Sequence, residues 1–421
     1  LKNPFLIAFI VLPLVALPTA AYPATEARFS VESRTYLPAR EDANSNLHLP
    51  IYEYLGLSVD DALAPGFYLR AAGWGRADLV DETYRKKSNG EFQYGYVGYR
   101  APRLDADLRL GRFPVNAGVA RNEGIDGIQA GSGLGLGFDL LAYAGRPVET
   151  SGGGVAADSI FGGRIAQGKP GLYRLGLSYL KEDFDVDAAR EEAGADLWVR
   201  PLSRLSLSGS TLYNADAEDF ARHDYTLLLG PFASFVQLTG RYEWVDYDKF
   251  FTHTRVTSFM TPALDPNERL QSAGGVIEFM LGAGVTLAGE YTGYAYDVMD
   301  SASAYGAKLS WKGAASSTGM GYRRSRSASE ELRYAEYRGW FGTRMGKADM
   351  ALSLRVGRYD EAVNGTRDAL SLTLGGAYPV TGSIGLGANV EYAADPYYDA
   401  ALRGMLNLTW RYSSTKGGDA K

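Results

Sequence analysis

The chain has 421 residues, among them 51 Gly, 29 Tyr and no Cys. The missing cysteine excludes disulfides, thiolate metal sites, iron–sulfur clusters, thiol nucleophiles and covalent haem attachment. With 43 Lys plus Arg against 49 Asp plus Glu there is no basic surplus for nucleic acid, and 46% hydrophobic residues is too many for a disordered chain.

The first element is an N-terminal one. Lys2 precedes an apolar run from Phe5 to Leu17, and the small residues Thr19, Ala20 and Ala21 follow it. This three-part layout predicts a secretory signal over residues 1–21, cleaved after Ala21, and hence an exported protein. A barrel over 22–413 and a short polar tail over 414–421 make up the rest.

No later stretch offers about 18 consecutive apolar residues, so no transmembrane helix is expected. Instead, apolar and polar residues alternate in segments of about ten to fourteen, beginning at 27–36. Leu104, Ala106, Leu108 and Leu110 alternate with Asp105, Asp107 and Arg109. Leu205, Leu207, Gly209, Thr211 and Tyr213 alternate with Ser206, Ser208 and Ser210. Further on, Met350, Leu352, Leu354 and Val356 form one apolar set, and Leu370, Leu372 and Leu374 another. Leu406, Leu408, Trp410 and Tyr412 close the series in the last segment, 402–413. Successive side chains of a strand point to opposite faces, so each segment has one apolar and one polar side.

The connections decide between a soluble sandwich and a membrane barrel. Short linkers such as Pro102-Arg103, Gly168-Lys169-Pro170 and Gly282-Ala283 alternate with longer polar ones. The longer set includes Val80 to Gly90, Arg146 to Ala157, Asp183 to Arg190, Asp246 to Asn267, Asp360 to Arg367 and Ala394 to Ala401. Tight turns at one rim and longer loops at the other are the rhythm of a transmembrane β-barrel. The fold expected is all-β: an antiparallel up-and-down barrel of about 22 strands (range 18–22) with no plug domain. Hydrocarbon forbids unpaired backbone groups, so the last strand must pair with the first. Clusters such as Tyr94, Tyr96 and Tyr99, or Tyr334, Tyr337, Trp340 and Phe341, fit aromatic girdles at the headgroup level.

Two short motifs carry a family resemblance. Gly404-Met405-Leu406-Asn407-Leu408-Thr409-Trp410-Arg411-Tyr412 looks like the aromatic-ended terminal strand that barrel assembly machinery reads in the outer membrane. Nine residues, Ser413 to Lys421, follow its last aromatic, which departs from the usual pattern. Leu108-Arg109-Leu110-Gly111-Arg112-Phe113, a loop, and then Gly124-Ile125-Asp126-Gly127 resemble a strand, Gly-Arg, loop, Asp-Gly arrangement of porins. Along nearly all of its length the chain resembles a Gram-negative outer-membrane porin. That resemblance implies residence in outer-membrane lipid, insertion by the assembly machinery, passage of small hydrophilic solutes, and no cofactor.

Alternation assigns the polar wall. Asp105, Asp107, Arg109, Arg174, Asp196, Arg200, Arg241, Glu243, Glu290, Arg355 and Glu391 are expected to face the pore. The loop Phe113 to Gly124, flanked by Arg112 and Asp126 and carrying Arg121 and Glu123, is the candidate for a constriction folded inward. Histidines occur only at 48, 223 and 253, without ligand spacing, so no catalytic or metal site is assigned. No Gly-rich loop precedes a helix to cradle a phosphate.

Width suggests a second function. About 22 strands imply a backbone diameter of roughly 40 Å, and the chain has no domain of its own to fill it. In this it is similar to the barrels of porin–cytochrome conduits, which sheathe a multihaem cytochrome. The two expectations are a diffusion pore and such a sheath, the second resting on architecture alone.

Overall fold

The structure is a computed structural model that describes residues 28–414, except 42–46, 62–63, 81–87, 149–156, 184–189, 252–264, 266 and 331–332. The predicted signal and most of the predicted tail lie outside the described residues. The strands begin β1 (Arg28–Glu41), β2 (Leu47–His48), β3 (Pro50–Asp60), β4 (Phe67–Asp78), β5 (Ser88–Ala101), β6 (Ala106–Ala117), β7 (Ala120–Gly135) and β8 (Phe138–Pro147). There follow β9 (Ser159–Lys169), β10 (Tyr173–Asp183), β11 (Arg190–Leu202), β12 (Leu205–Asn214), β13 (Asp219–Phe232), β14 (Val236–Asp246) and β15 (Arg269–Gly282). The series ends with β16 (Val285–Tyr296), β17 (Ala302–Lys312), β18 (Ser316–Ser327), β19 (Tyr334–Met345), β20 (Ala348–Val363), β21 (Thr366–Pro379), β22 (Ile384–Asp395) and β23 (Tyr398–Ser413). A five-residue helix, α1 (Tyr247–Phe251), follows β14.

β2 pairs only with the end of β1, through Arg40↔His48 and Glu41↔Leu47. The other 22 strands form the barrel, each antiparallel to its neighbours in sequence. The seam is complete: β1 pairs with β23 in unbroken register from Ser30↔Ser413 to Ala39↔Gly404, and with β3 on its other side. At its foot the Phe29 N–H donates to Ser414 Oγ and the Ser414 N–H donates to the Phe29 carbonyl, both at 2.9 Å. Closure satisfies the two edges that an open sheet would expose to lipid.

The two faces differ as the alternation requires. Leu110 (64% exposed), Leu177 (63%), Met320 (64%) and Leu406 (58%) stand on the outside. Burying one such side chain is worth about 1.5–3 kcal/mol, so a continuous belt of them is stable only in an apolar medium. The protein is therefore a membrane-spanning barrel. Outward rings such as Tyr291, Tyr337 and Tyr392 lie toward the loop rim, and Trp311, Tyr378 and Tyr412 toward the turn rim, the positions of two interfacial girdles.

Tight turns follow local chemistry. Leu136 and Gly137 both have positive φ (50° and 78°), which is the two-residue hairpin that matches strand twist. A Cβ on Gly137 would meet the Gly168 carbonyl at 2.0 Å. In the turn after β3 the Gly66 N–H donates to Asp61 Oδ1 at 2.8 Å, and this bond holds the Asp61 carboxyl below the usual range. Two expected long loops are tight instead. Asn364-Gly365 (φ 47° and 86°) closes β20 onto β21 directly, and only two residues separate β22 from β23. Asn-Gly is the strongest two-residue hairpin signal, so the strands run on through what looked like loop.

Candidate functional site: the lumen wall and its inner hairpin

The polar face is set by register. Gly176↔Asp196, Thr226↔Arg241, Asp224↔Glu243, Val276↔Glu290, Arg338↔Arg355 and Thr373↔Glu391 are rungs on one side of the sheet. Asp107, Arg109 and Arg174 alternate with the exposed Leu108, Leu110, Leu175 and Leu177, and so share that inner side. Asp105 sits in the turn before β6, at φ 47°, and Arg200 lies near the turn rim, where Nη2 donates to the Ser203 carbonyl at 2.8 Å.

Most of these charges are already paired. Arg164 grips Asp196 with two nitrogens at 2.9 and 2.6 Å. Arg174 meets Asp139 at 3.0 Å, and Arg109 meets Asp107 at 2.8 Å. Arg222 bridges Asp224 and Glu243, both at 2.8 Å. Arg323 lies 3.9 Å from Glu290, and Arg355 lies 3.6 Å from Glu336. Ser371 donates to Glu391 at 3.2 Å. The wall is polar and carries charges of both signs.

The segment expected as the loop Phe113 to Gly124 is a hairpin. β6 pairs with β5 only as far as Gly95↔Arg112, and β7 pairs with β8 only up to Ile125↔Pro147. Beyond those rungs β6 and β7 pair with each other alone, up to Ala117↔Ala120, around a Gly118-Val119 turn. Freed from the wall, the hairpin lies against the inner side of β8 to β12. Phe113, Val115, Val119, Ala120 and Ile125 are buried there with Tyr143, Ile160, Leu180 and Leu212. The Val119 N–H donates to Ser178 Oγ at 3.1 Å. Gly118, at φ +59°, lies so close to Ser178 that a Cβ would meet its Oγ at 2.1 Å.

Ion pairs fasten the hairpin. Arg121 Nη2 donates to Glu192 at 2.9 Å, and the Arg121 guanidinium lies 4.4 Å from the centre of the Phe250 ring on α1. Arg190, 7% exposed in its side chain, meets Glu123 and Glu192 at 2.9 Å and Glu182 at 3.3 Å. Arg112 and Asp126 fall elsewhere. They pair across β6 and β7 at 2.8 Å, in phase with the outward Leu108, Leu110 and Ile128, at the base where the hairpin leaves the wall. Below the hairpin lies a cavity of about 1010 Å³, lined by Arg100, Asp107, Arg121, Arg164, Arg174 and Asp196 among others.

Arg190, Glu192 and Phe250 were not among the expected site residues. The phase of β11 could have found two of them, because 190 and 192 fall on the same side as 196 and 200. Phe250 has no comparable signal. Of the histidines, His223 points outward, with Nδ1 2.9 Å from Thr211 Oγ1; His253 lies outside the described residues. No group of three or more metal-ligating side chains occurs among the described residues.

No protein-family model matches the chain, and no characterised protein sequence does. Solved structures match it. The siderophore receptor PirA from Pseudomonas aeruginosa is similar over 93% of this chain and 81% of its own, at 11% identity and a TM-score of 0.57. The translocation pore of the P pilus usher PapC is similar over 91% of this chain and 99% of its own, at 10% identity and a TM-score of 0.52. OccAB2 of Acinetobacter baumannii aligns over 93% of this chain at 11% identity, with a TM-score of 0.46. At such identities the likeness of the first two is one of fold: a closed transmembrane β-barrel.

Proposed function

We propose that this protein is a channel of the Gram-negative outer membrane that lets small hydrophilic solutes diffuse through a polar lumen. One observation carries the reading: a sealed barrel with a charged inner wall, in which the hairpin covers only the β8 to β12 side. Twenty-two strands imply a backbone diameter of roughly 40 Å, far wider than a two-stranded hairpin. Asp107, Arg109, Arg174, Asp196, Arg241, Glu243, Glu290, Arg355 and Glu391 line the path. Arg121 and Glu123 hold the hairpin that narrows it. Solutes pass the paired arginines and carboxylates without leaving their hydration shells, so selectivity between small ions is weak. The chain acts as a conduit and has no catalytic role.

Reconstitution in planar bilayers tests this. Stable ionic conductance is expected, and replacing residues 114–123 by a Gly-Gly turn should raise the single-channel current. A barrel that inserts and never conducts at any voltage overturns the proposal.

The same width supports a second reading, a sheath around a multihaem cytochrome. It predicts a haem-staining partner in gentle detergent extracts and little conductance until that partner is removed.

A further inference from the structure

The lumen wall on the other flank of the hairpin's root, from β23 to β5, is unusual, and its Tyr96 ring stands edge to face with Phe113 at 6.4 Å. Four rungs cross the seam on the inner face of β23, β1, β3, β4 and β5. The first reads Asn407, Tyr36, Tyr52, Arg76, and the second Thr409, Arg34, Tyr54, Trp74. The third reads Arg411, Glu32, Gly56, Ala72, Tyr94, and the fourth contains Ser58, Arg70 and Tyr96. The inward phase is fixed by their neighbours, since Leu406, Leu408 and Trp410 of β23 are exposed on the other face.

The rings form two sets. Tyr36 and Tyr54 lie 5.6 Å apart edge to face; Trp74 lies 6.3 Å from Tyr52 and 6.4 Å from Tyr54. Tyr94 and Tyr96 are 6.1 Å apart. On β3 and β4 the third rung carries only Gly56 and Ala72, and a Cβ on Gly56 would have nothing within 4 Å. The result is a trough walled by Tyr54 and Trp74 along one side and by Tyr94 and Tyr96 at its β5 end. Its polar end is a triad in which Glu32 accepts from Arg34 and from Arg411, each at 2.9 Å.

We infer that this trough binds linear oligosaccharides and guides them through the lumen. The inference rests on the channel reading and names its solute class. A pyranose ring has an apolar C–H face that sits well on an aromatic ring and a rim of hydroxyls that both donate and accept. The trough supplies both: ring faces from Tyr36, Tyr52, Tyr54 and Trp74, and donors and acceptors from Arg34, Glu32 and Asn407. Glu32 is shared by Arg34 and Arg411, so the polar end keeps one positive charge beside its acceptor oxygens. At 4.7–4.9 Å per strand the five strands from β23 to β5 span about 19 Å, room for several sugar units.

The test adds maltohexaose to one side of a bilayer that holds the full chain, with calorimetry on the detergent-solubilised protein beside it. Transient current blockades and a binding heat are expected. Trp74→Ala and Tyr54→Ala should each weaken binding by about tenfold, as loss of one ring contact implies. Gly56→Leu, which fills the trough, should shorten the blockades, and Leu309→Ala on the outer face of β17 should leave them unchanged. An open current without blockades or binding heat overturns the oligosaccharide site and leaves the channel standing. A binding heat without any current overturns the channel and supports the trough. Stronger block by benzoate than by maltohexaose also rejects the assignment.

Discussion

Arg190 on the barrel wall and Glu123 on the inner hairpin meet at 2.9 Å, across 67 residues of chain. The contact joins β11 to β7, two strands that are not neighbours in the sheet. It fixes where the hairpin lies once it has left the wall. Arg190 is nearly out of solvent and has three carboxylates around it, so the pairing is mutual and desolvated.

Replacing Arg190 by Leu should release the hairpin. The change leaves Glu123, Glu182 and Glu192 without their common cation, and breaking such a buried pairing costs about 3–5 kcal/mol. The cost falls on the hairpin rather than on the barrel. Noisier and larger single-channel currents are expected, with the folded band on unheated gels unchanged; quiet currents of native size would show that the ion pairs are dispensable.

Docking of the tip can be trapped covalently. A Cβ on Gly194 would lie 2.6 Å from Val119 Cγ1, and the chain has no cysteine to interfere. In a Val119→Cys, Gly194→Cys double variant the sulfurs are within bridging reach. Oxidation should produce the internal cross-link in high yield without changing conductance. A poor yield, read by mass spectrometry, would mean the tip resides elsewhere.

Selectivity should separate two neighbouring arginines. Arg109 points into the lumen, and Arg112 lies on the opposite side of the same strand against Asp126. Arg109→Glu should shift the reversal potential toward cations, and Arg112→Glu should leave it nearly unmoved. Equal shifts from both would contradict the strand phase.

The outer face should reject charge with depth. Leu177 stands mid-strand on β10 and is 63% exposed. Leu177→Arg is expected to cost about 2–4 kcal/mol of folding free energy in vesicles, whereas Ser371→Arg, on the lumen face, should cost little. Urea titration in lipid vesicles, followed by tryptophan emission, measures both. Similar losses would deny that the two faces meet different media.

Much of the fold was legible without coordinates. Leu108 and Leu110 against Asp107 and Arg109, or Leu406 and Leu408 against Asn407 and Thr409, state strand, phase and medium at once. That is because a strand's side chains alternate strictly and lipid tolerates no open edge. The inner charges followed from the same phase. Strand ends did not, because a tight Asn364-Gly365 turn and a longer polar loop both read as Gly and polar residues.

The sequence by itself determined the cylinder: its strands, its greasy and wet faces, and the need to close, all consequences of local period and backbone hydrogen bonding. Only the tertiary structure decided what lies inside. Whether residues 113–124 continue the wall or leave it depends on Arg190, Glu192, Ser178 and Phe250, which lie far off in sequence. The aromatic trough likewise exists only because closure sets β23 beside β1, bringing Asn407 and Arg411 against Tyr36 and Glu32. Contacts of that range have no periodic signature, since they arise from the register between segments and not from the pattern within one.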